Sequence, residues 1–350
     1  MRPSHIAAIL DREFLAAASG QHTPVMLWGP PGVGKSQVVA QIAQRHAVPL
    51  IDLRLSQLEP TDLRGIPFRQ GDRVEWCVPS MLPDASRHGA RGVLFLDEIN
   101  AAPPTVTAAA YQLILDRRLG DYSVPAGWAL FAAGNRQGDR GVVYTMPSPL
   151  ANRFTYFEVE PHLDDWSAWA YAHGIDDRLI AFLRFRPDLL FDFDPAHTSG
   201  AFPSPRTWEY AHRALTKFAD RPDLLLEALQ SCVGAAAGVE ATAFLDHLGR
   251  LPDVDAILRG DSAYVPQEIG LQYGVATALV RRVLDRKHEP KSRELVGRVL
   301  DYAARLPQQE LGVMLVTDLQ RVLGRPLYDV PEFSRWANSV PGLVRHELPP

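Results

Sequence analysis

The eight residues GPPGVGKS, Gly29 to Ser36, constrain this chain more than any other stretch. They fit the pattern G-x-x-x-x-G-K-[ST] at Gly29, Gly34, Lys35 and Ser36. Glycine lets the backbone curl closely enough for successive amide N–H groups to point inward at a phosphate chain. A lysine at this position reaches the β- and γ-phosphates, and the hydroxyl after it can ligate Mg²⁺. A glycine-rich turn that merely opens a helix is the simpler alternative, and the flanks argue against it. TPVMLWG, before the loop, is a short apolar run suited to a buried strand, and SQVVAQIAQRHA, overlapping its end, has helical periodicity. Strand, loop and helix follow in the order a nucleotide site needs. Gly29, Pro30, Pro31, Gly32, Val33, Gly34, Lys35, Ser36 and Gln37 are therefore expected around the phosphates of a bound nucleotide.

The same alternation continues downstream. VPLIDL and GVLFLDE (92–98) read as further strands, and ALFAAGN (129–135) as a fourth. IPFRQGDRVEWCVP (66–79) places Gln70, Gly71 and Asp72 between two strand-forming stretches, which predicts a β-hairpin. PPTVTAAAYQLILDRRLG reads as a helix with prolines at its start and Gly120 past its end, and DYSVPAGW as a smaller turn or hairpin. Strands alternating with helices predict α/β architecture: a mostly parallel sheet flanked by helices. Beyond about residue 160 the strand signal largely disappears, and LDDWSAWAYAHG, DDRLIAFLRFRP and PRTWEYAHRALTKFA have helical period. The expected division is an α/β nucleotide-binding domain over 1–160, an all-helical domain over 161–250 and a helix-rich C-terminal extension over 251–350.

Composition narrows the function classes. With 46% hydrophobic and 22% charged residues the chain reads as soluble and globular, and its apolar runs are far short of a membrane span. MRPSHIAAILDREF carries charges inside its apolar stretch, so an amphipathic helix is expected there rather than a signal peptide. Cys77 and Cys232 are the two cysteines, which excludes a disulfide framework and points to a reducing, cytoplasmic setting. A net charge of −5 without a basic block argues against tight nucleic-acid binding.

Chemistry concentrates in four further places. In VLFLDEIN, Asp97 and Glu98 close an apolar strand, whose carboxyl end should reach the sheet edge where the phosphate loop lies. Asp97 is expected to hold a Mg²⁺ shell with Ser36, and Glu98 to polarise the attacking water. In AAGNRQGD, Asn135 directly follows a strand and could reach a water or the γ-phosphate. Arg153 in SPLANRF, in what reads as a short helix, and Arg206 in SPRTWEY are candidate cations for the transition-state charge on the γ-phosphate.

The order of these motifs resembles the AAA+ ATPases, and more narrowly the MoxR family. The resemblance rests on GPPGVGKS, LSQLEPTDLRG, the hairpin stretch, VLFLDEIN, AAGNRQGD, PLANRF and SPRTWE, and covers roughly residues 5–220. The DLRG element, Asp62 to Gly65, followed by a hairpin is its most family-specific part. The resemblance implies ATP and Mg²⁺ as ligands, Asn135 as sensor 1, Arg153 as an arginine finger acting on a neighbouring subunit, and Arg206 as sensor 2 reporting to a helical lid. It also implies a homo-hexameric ring that remodels or activates a protein client through the hairpins, with a von Willebrand factor A domain protein as the usual partner. An ATP-gated assembly switch and a nucleic-acid-stimulated motor stand as alternatives.

Overall fold

Consecutive apolar residues of the central strands, buried on both faces, build the first part of the molecule. The computed structural model describes residues 1–136, 138–139, 144, 152–196 and 200–340. They divide into two units, Met1–Pro161 and a second beginning at His162. The first contains α1 (Pro3–Ala17), β1 (Val25–Trp28), α2 (Lys35–Arg45), β2 (Leu50–Arg54), α3 (Pro60–Arg64), β3 (Ile66–Gln70), β4 (Arg73–Cys77), α4 (Ala85–His88), β5 (Arg91–Asp97) and α5 (Pro104–Asp116). It continues with β6 (Arg118–Leu119), β7 (Tyr122–Ser123), β8 (Gly127–Gly134) and β9 (Thr155–Glu158).

Five of these strands form a sheet in the order β2-β5-β8-β1-β9, with every neighbouring pair parallel. Met26, Leu94, Leu96, Leu130 and Ala132 belong to one buried cluster with Val106, Ala109, Ala110 and Leu113 of α5. The intervening residues Val25, Leu27, Val93, Phe95 and Phe131 are equally buried, on the face where α1 and α2 contact the sheet. This two-sided burial is why the strands read as continuous apolar runs.

The four expected strands are present, as is the β3–β4 hairpin, whose register pairs Ile66 with Cys77 and Gln70 with Arg73. Two features differ from expectation. The fifth strand, β9, has the sequence TYFE and is mostly exposed, so it carries no apolar run; pairing with the edge of β1 makes it a strand. Helix α5 stops short of Gly120, because Arg117 turns left-handed at φ 55°. Its guanidinium donates to the carbonyls of Pro125 (3.0 Å) and Trp128 (2.6 Å). That turn hands Arg118 and Leu119 to the small hairpin β6–β7, which therefore begins before the DYSVPAGW stretch.

The second unit is helical: α6 (Leu163–Ala172), α7 (Asp177–Phe185), α8 (Pro205–Lys217), α9 (Leu225–Val233), α10 (Ala235–His247), α11 (Val254–Arg259), α12 (Ile269–Asp285), α13 (Ser292–Ala303), α14 (Gln309–Leu323) and α15 (Pro331–Ser339). One buried apolar cluster takes in Leu179 and Phe182 of α7, Val275 and Leu279 of α12, and Leu315 and Val316 of α14. Arg184 of α7 adds a polar tie, pairing with Asp164 of α6 and with the fully buried Asp318 of α14.

Candidate nucleotide site

The strand order sets the C-terminal ends of β5, β8 and β1 side by side, the edge at which open α/β sheets bind ligands. Trp28 pairs with Gly134, and Leu96 with Ala132, so the loops after the three strands leave the sheet at one level. The loop after β1 enters α2 through Gly34, which is left-handed at φ 99° with open space where a side chain would begin. A non-glycine residue would be strained there. No side-chain cap hydrogen bond closes the start of α2 among the described residues, so its first amides and the helix dipole favour an anion.

Lys35 begins that helix and is 9% exposed. Its ammonium donates to the carbonyls of Gly29 (2.6 Å) and Pro30 (3.0 Å) and to Oδ1 of Asn135 (3.0 Å). A buried cation needs such acceptors. They hold it at the mouth of the loop, where a phosphate could replace them. Ser36 Oγ donates to Asp97 Oδ2 at 2.9 Å, joining the helix start to the end of β5. Asp97 Oδ1 accepts from the Glu98 amide at 2.9 Å, and Glu98 adopts a left-handed φ of 56°. A non-glycine residue in that region stores strain, which is commonest at functional positions. The Ser56 hydroxyl, just after β2, donates to the Glu98 carboxylate. Asp52 of β2 registers the local negative field: burial pushes its carboxyl up, the charges of Asp97 and Glu98 push it further, and Arg54 opposes them.

The fold thus brings together Gly29, Pro30, Gly34, Lys35, Ser36, Asp97, Glu98 and Asn135 at one sheet edge. Pro31 and Gly32 are half-buried in the same loop, while Val33 is 3% exposed and packs into the interior. Gln37 lies exposed on α2. Arg153 is exposed in the turn before β9, and the first four positions of the SPLANRF stretch expected to be helical, 148–151, lie outside the described residues. Arg206 is exposed in the first turn of α8, in the second unit. Sequence reasoning missed two residues. Asn100 lies within VLFLDEIN and bonds the backbone of Asn135. Ser56 carries no signal of its own until β2 is paired with β5.

Residues 24–154 match the family described as the AAA domain, dynein-related subfamily. The chain carries an AAA domain. Its relatives include the protein NorQ of Paracoccus denitrificans, 30% identical over 151 residues, which are 41% of this chain and 55% of NorQ. Midasin of Giardia intestinalis is 30% identical over 163 residues, 43% of this chain and 3% of midasin. The denitrification regulatory protein NirQ of Pseudomonas aeruginosa is 35% identical over 96 residues, 27% of this chain and 36% of NirQ. The chain therefore spans about half the length of NorQ and smaller shares of the other two. The AAA domain contains the whole cluster from Gly29 to Asn135, whereas Arg206 lies beyond the matched residues.

Proposed function

We propose that this chain is a MoxR-type AAA+ ATPase that couples ATP hydrolysis to the remodelling or activation of a protein client. The observation that carries the reading is the convergence of Lys35, Ser36, Asp97, Glu98 and Asn135 on one sheet edge. A hydroxyl and a carboxylate 2.9 Å apart beside a phosphate loop form a hard-oxygen pair that fits Mg²⁺. Ser36 and the Asp97 shell would hold that ion, which when bound neutralises phosphate charge and orients the β- and γ-oxygens.

The chain's own residues carry the rest. Lys35 exchanges its loop carbonyls for phosphate oxygens, and Asn135 orients the water. Glu98 accepts a proton from that water as its oxygen attacks the γ-phosphorus. The bond to the β–γ bridging oxygen breaks, and ADP and phosphate leave. Arg153, exposed in its turn, serves as a finger for the site of a neighbouring copy in a homo-hexameric ring. Arg206 answers to the γ-phosphate from the helical unit. Hydrolysis then depends on assembly, since such an arginine contributes on the order of 10³–10⁵ in rate.

The β3–β4 hairpin is the element proposed to meet the client. Every residue from Ile66 to Cys77 is exposed, including Ile66, Phe68, Val74 and Trp76. Apolar side chains left in solvent on a projecting ribbon suit a partner better than a core. A von Willebrand factor A domain protein as partner and a cytoplasmic setting complete the proposal; no described helix is long and apolar enough to cross a membrane. Mixing Glu98→Gln protein with Arg153→Ala protein tests the mechanism. Hybrid interfaces should recover ATPase activity that neither variant shows alone. Absence of recovery despite demonstrated co-assembly would refute the shared site.

A further inference from the structure

Asn100 follows Glu98 by two positions and is 4% exposed. Its side-chain amide makes two bonds to one residue: Nδ2 donates to the Asn135 carbonyl at 2.7 Å, and Oδ1 accepts from the Asn135 amide at 3.1 Å. The donor and acceptor of Asn135 also fix which way the Asn100 amide faces. Ile99 N donates to Ala133 O at 3.0 Å, so consecutive residues of the turn after Glu98 are stitched to Ala133 near the end of β8 and to Asn135 just past it. Gly134 makes the approach possible, because a Cβ there would sit 2.6 Å from Asn100 Oδ1. The Asn135 side chain meanwhile accepts from Lys35. Its backbone is thus gripped from the Glu98 turn and its amide group from the phosphate loop.

We infer that Asn100 is a positioning residue for hydrolysis: it sets the place of Asn135 relative to Glu98, so that the group orienting water and the group accepting its proton move as one corner. The inference rests on the ATPase reading of the same site. A buried asparagine that merely satisfied two backbone groups would support the strand end without favouring the reaction. The two roles separate by experiment.

The full chain and its Asn100→Ala, Asn135→Ala and doubly substituted forms are assayed for ATP turnover with Mg²⁺ and for binding of a fluorescent, non-hydrolysed ATP analogue. Asn100→Ala should turn over ATP about tenfold or more slowly while its analogue Kd stays within about threefold. The double variant should be no slower than Asn135→Ala alone, because both losses act through one residue. In Asn100→Asp the carboxylate still accepts from the Asn135 amide but repels its carbonyl, and only the protonated acid restores the second bond. Its turnover relative to the unsubstituted chain should therefore rise several-fold from about pH 8 to pH 6. Hydrogen exchange at the Asn135 amide reads the clamp without turnover and should quicken in Asn100→Ala. Unchanged exchange, normal turnover, or parallel loss of turnover and binding in Asn100→Ala would overturn the inference. An unsubstituted chain that binds the analogue and hydrolyses nothing, with exchange still quickened in Asn100→Ala, would instead sink the ATPase reading.

Discussion

Replacing Gly65 by alanine tests how the DLRG element seats the hairpin. Gly65 caps α3 at φ 84° and ψ −169°, a conformation that side-chain-bearing residues avoid. An added Cβ would lie 1.9 Å from the Cys77 carbonyl oxygen and 2.9 Å from its carbon, with Pro79 Cδ at 3.3 Å. The nearest atoms are backbone and cannot rotate away. The base of the hairpin, where Ile66 pairs with Cys77, would have to open by about 1 Å, in addition to dihedral strain of about 1–3 kcal/mol. Because β3 and β4 are exposed along their whole length, the base should splay while the sheet keeps its packing. The melting temperature of the α/β unit should fall by about 3–10 °C. Trypsin should cut faster at Arg69 and Arg73, and affinity for a non-hydrolysed ATP analogue should not change. Calorimetry, timed proteolysis and an analogue titration check the three expectations. A Gly65→Ala protein that melts within about 1 °C of the parent and resists trypsin equally would refute the reasoning.

Other substitutions probe the remaining links. Lys35→Ala removes the cation shared by Gly29, Pro30 and Asn135 and should abolish analogue binding in a fluorescence titration; retained affinity would count against the phosphate-loop assignment. Ser56→Ala removes the hydroxyl that donates to Glu98. The carboxylate is then free to turn toward the attacking water, so basal ATP turnover should rise about threefold or more, and a fall would contradict this. Arg184→Ala leaves the buried Asp318 with the longer Arg321 contact at 3.6 Å in place of its close partner and should cost about 3 kcal/mol in urea unfolding. The exposed Arg335→Ala, which breaks a surface pair with Glu332, should cost under about 0.5 kcal/mol. His22 has a side chain 3% exposed, and its Nε2 accepts from the Leu130 amide at 2.8 Å. Burial holds its imidazole below the ordinary value. The unfolded chain therefore takes up a proton near pH 6.5 that the folded chain refuses, and stability drops as pH falls below about 6.5. His22→Gln should flatten the melting temperature between about pH 7.5 and 5.5, and an unchanged slope would assign the effect elsewhere.

Much of the α/β unit is legible in the sequence because its determinants are contiguous. The runs VMLW, VLFL and ALFAA announce buried parallel strands, and GPPGVGKS needs no distant residue to define its loop. The β3–β4 hairpin is readable from Gly71 and Asp72 between strand-forming stretches for the same reason. Local reading fails where a residue's state depends on a distant neighbour. TYFE is a strand only because β1 lies beside it, and α5 ends where Arg117 finds the carbonyls of Pro125 and Trp128. Helices on either side of residue 250 carry ordinary amphipathic patterns, and no pattern states that α7 will pack on α12 and pair with α14.

For the site, residue types and their places follow from the chain alone: lysine and serine closing the phosphate loop, two carboxylates and an asparagine each at the end of an apolar run. Tertiary structure decided their pairing. The order β2-β5-β8-β1 sets Asn135 between the phosphate loop and Asp97, and it brings Ser56 to Glu98 and Asn100 to Asn135 across 42 and 35 positions. Continuous apolar runs specify which strands are buried on both faces, but strand order arises from the packing of all helices and strands together. The chemistry is therefore written locally, and its geometry exists only once the sheet has formed.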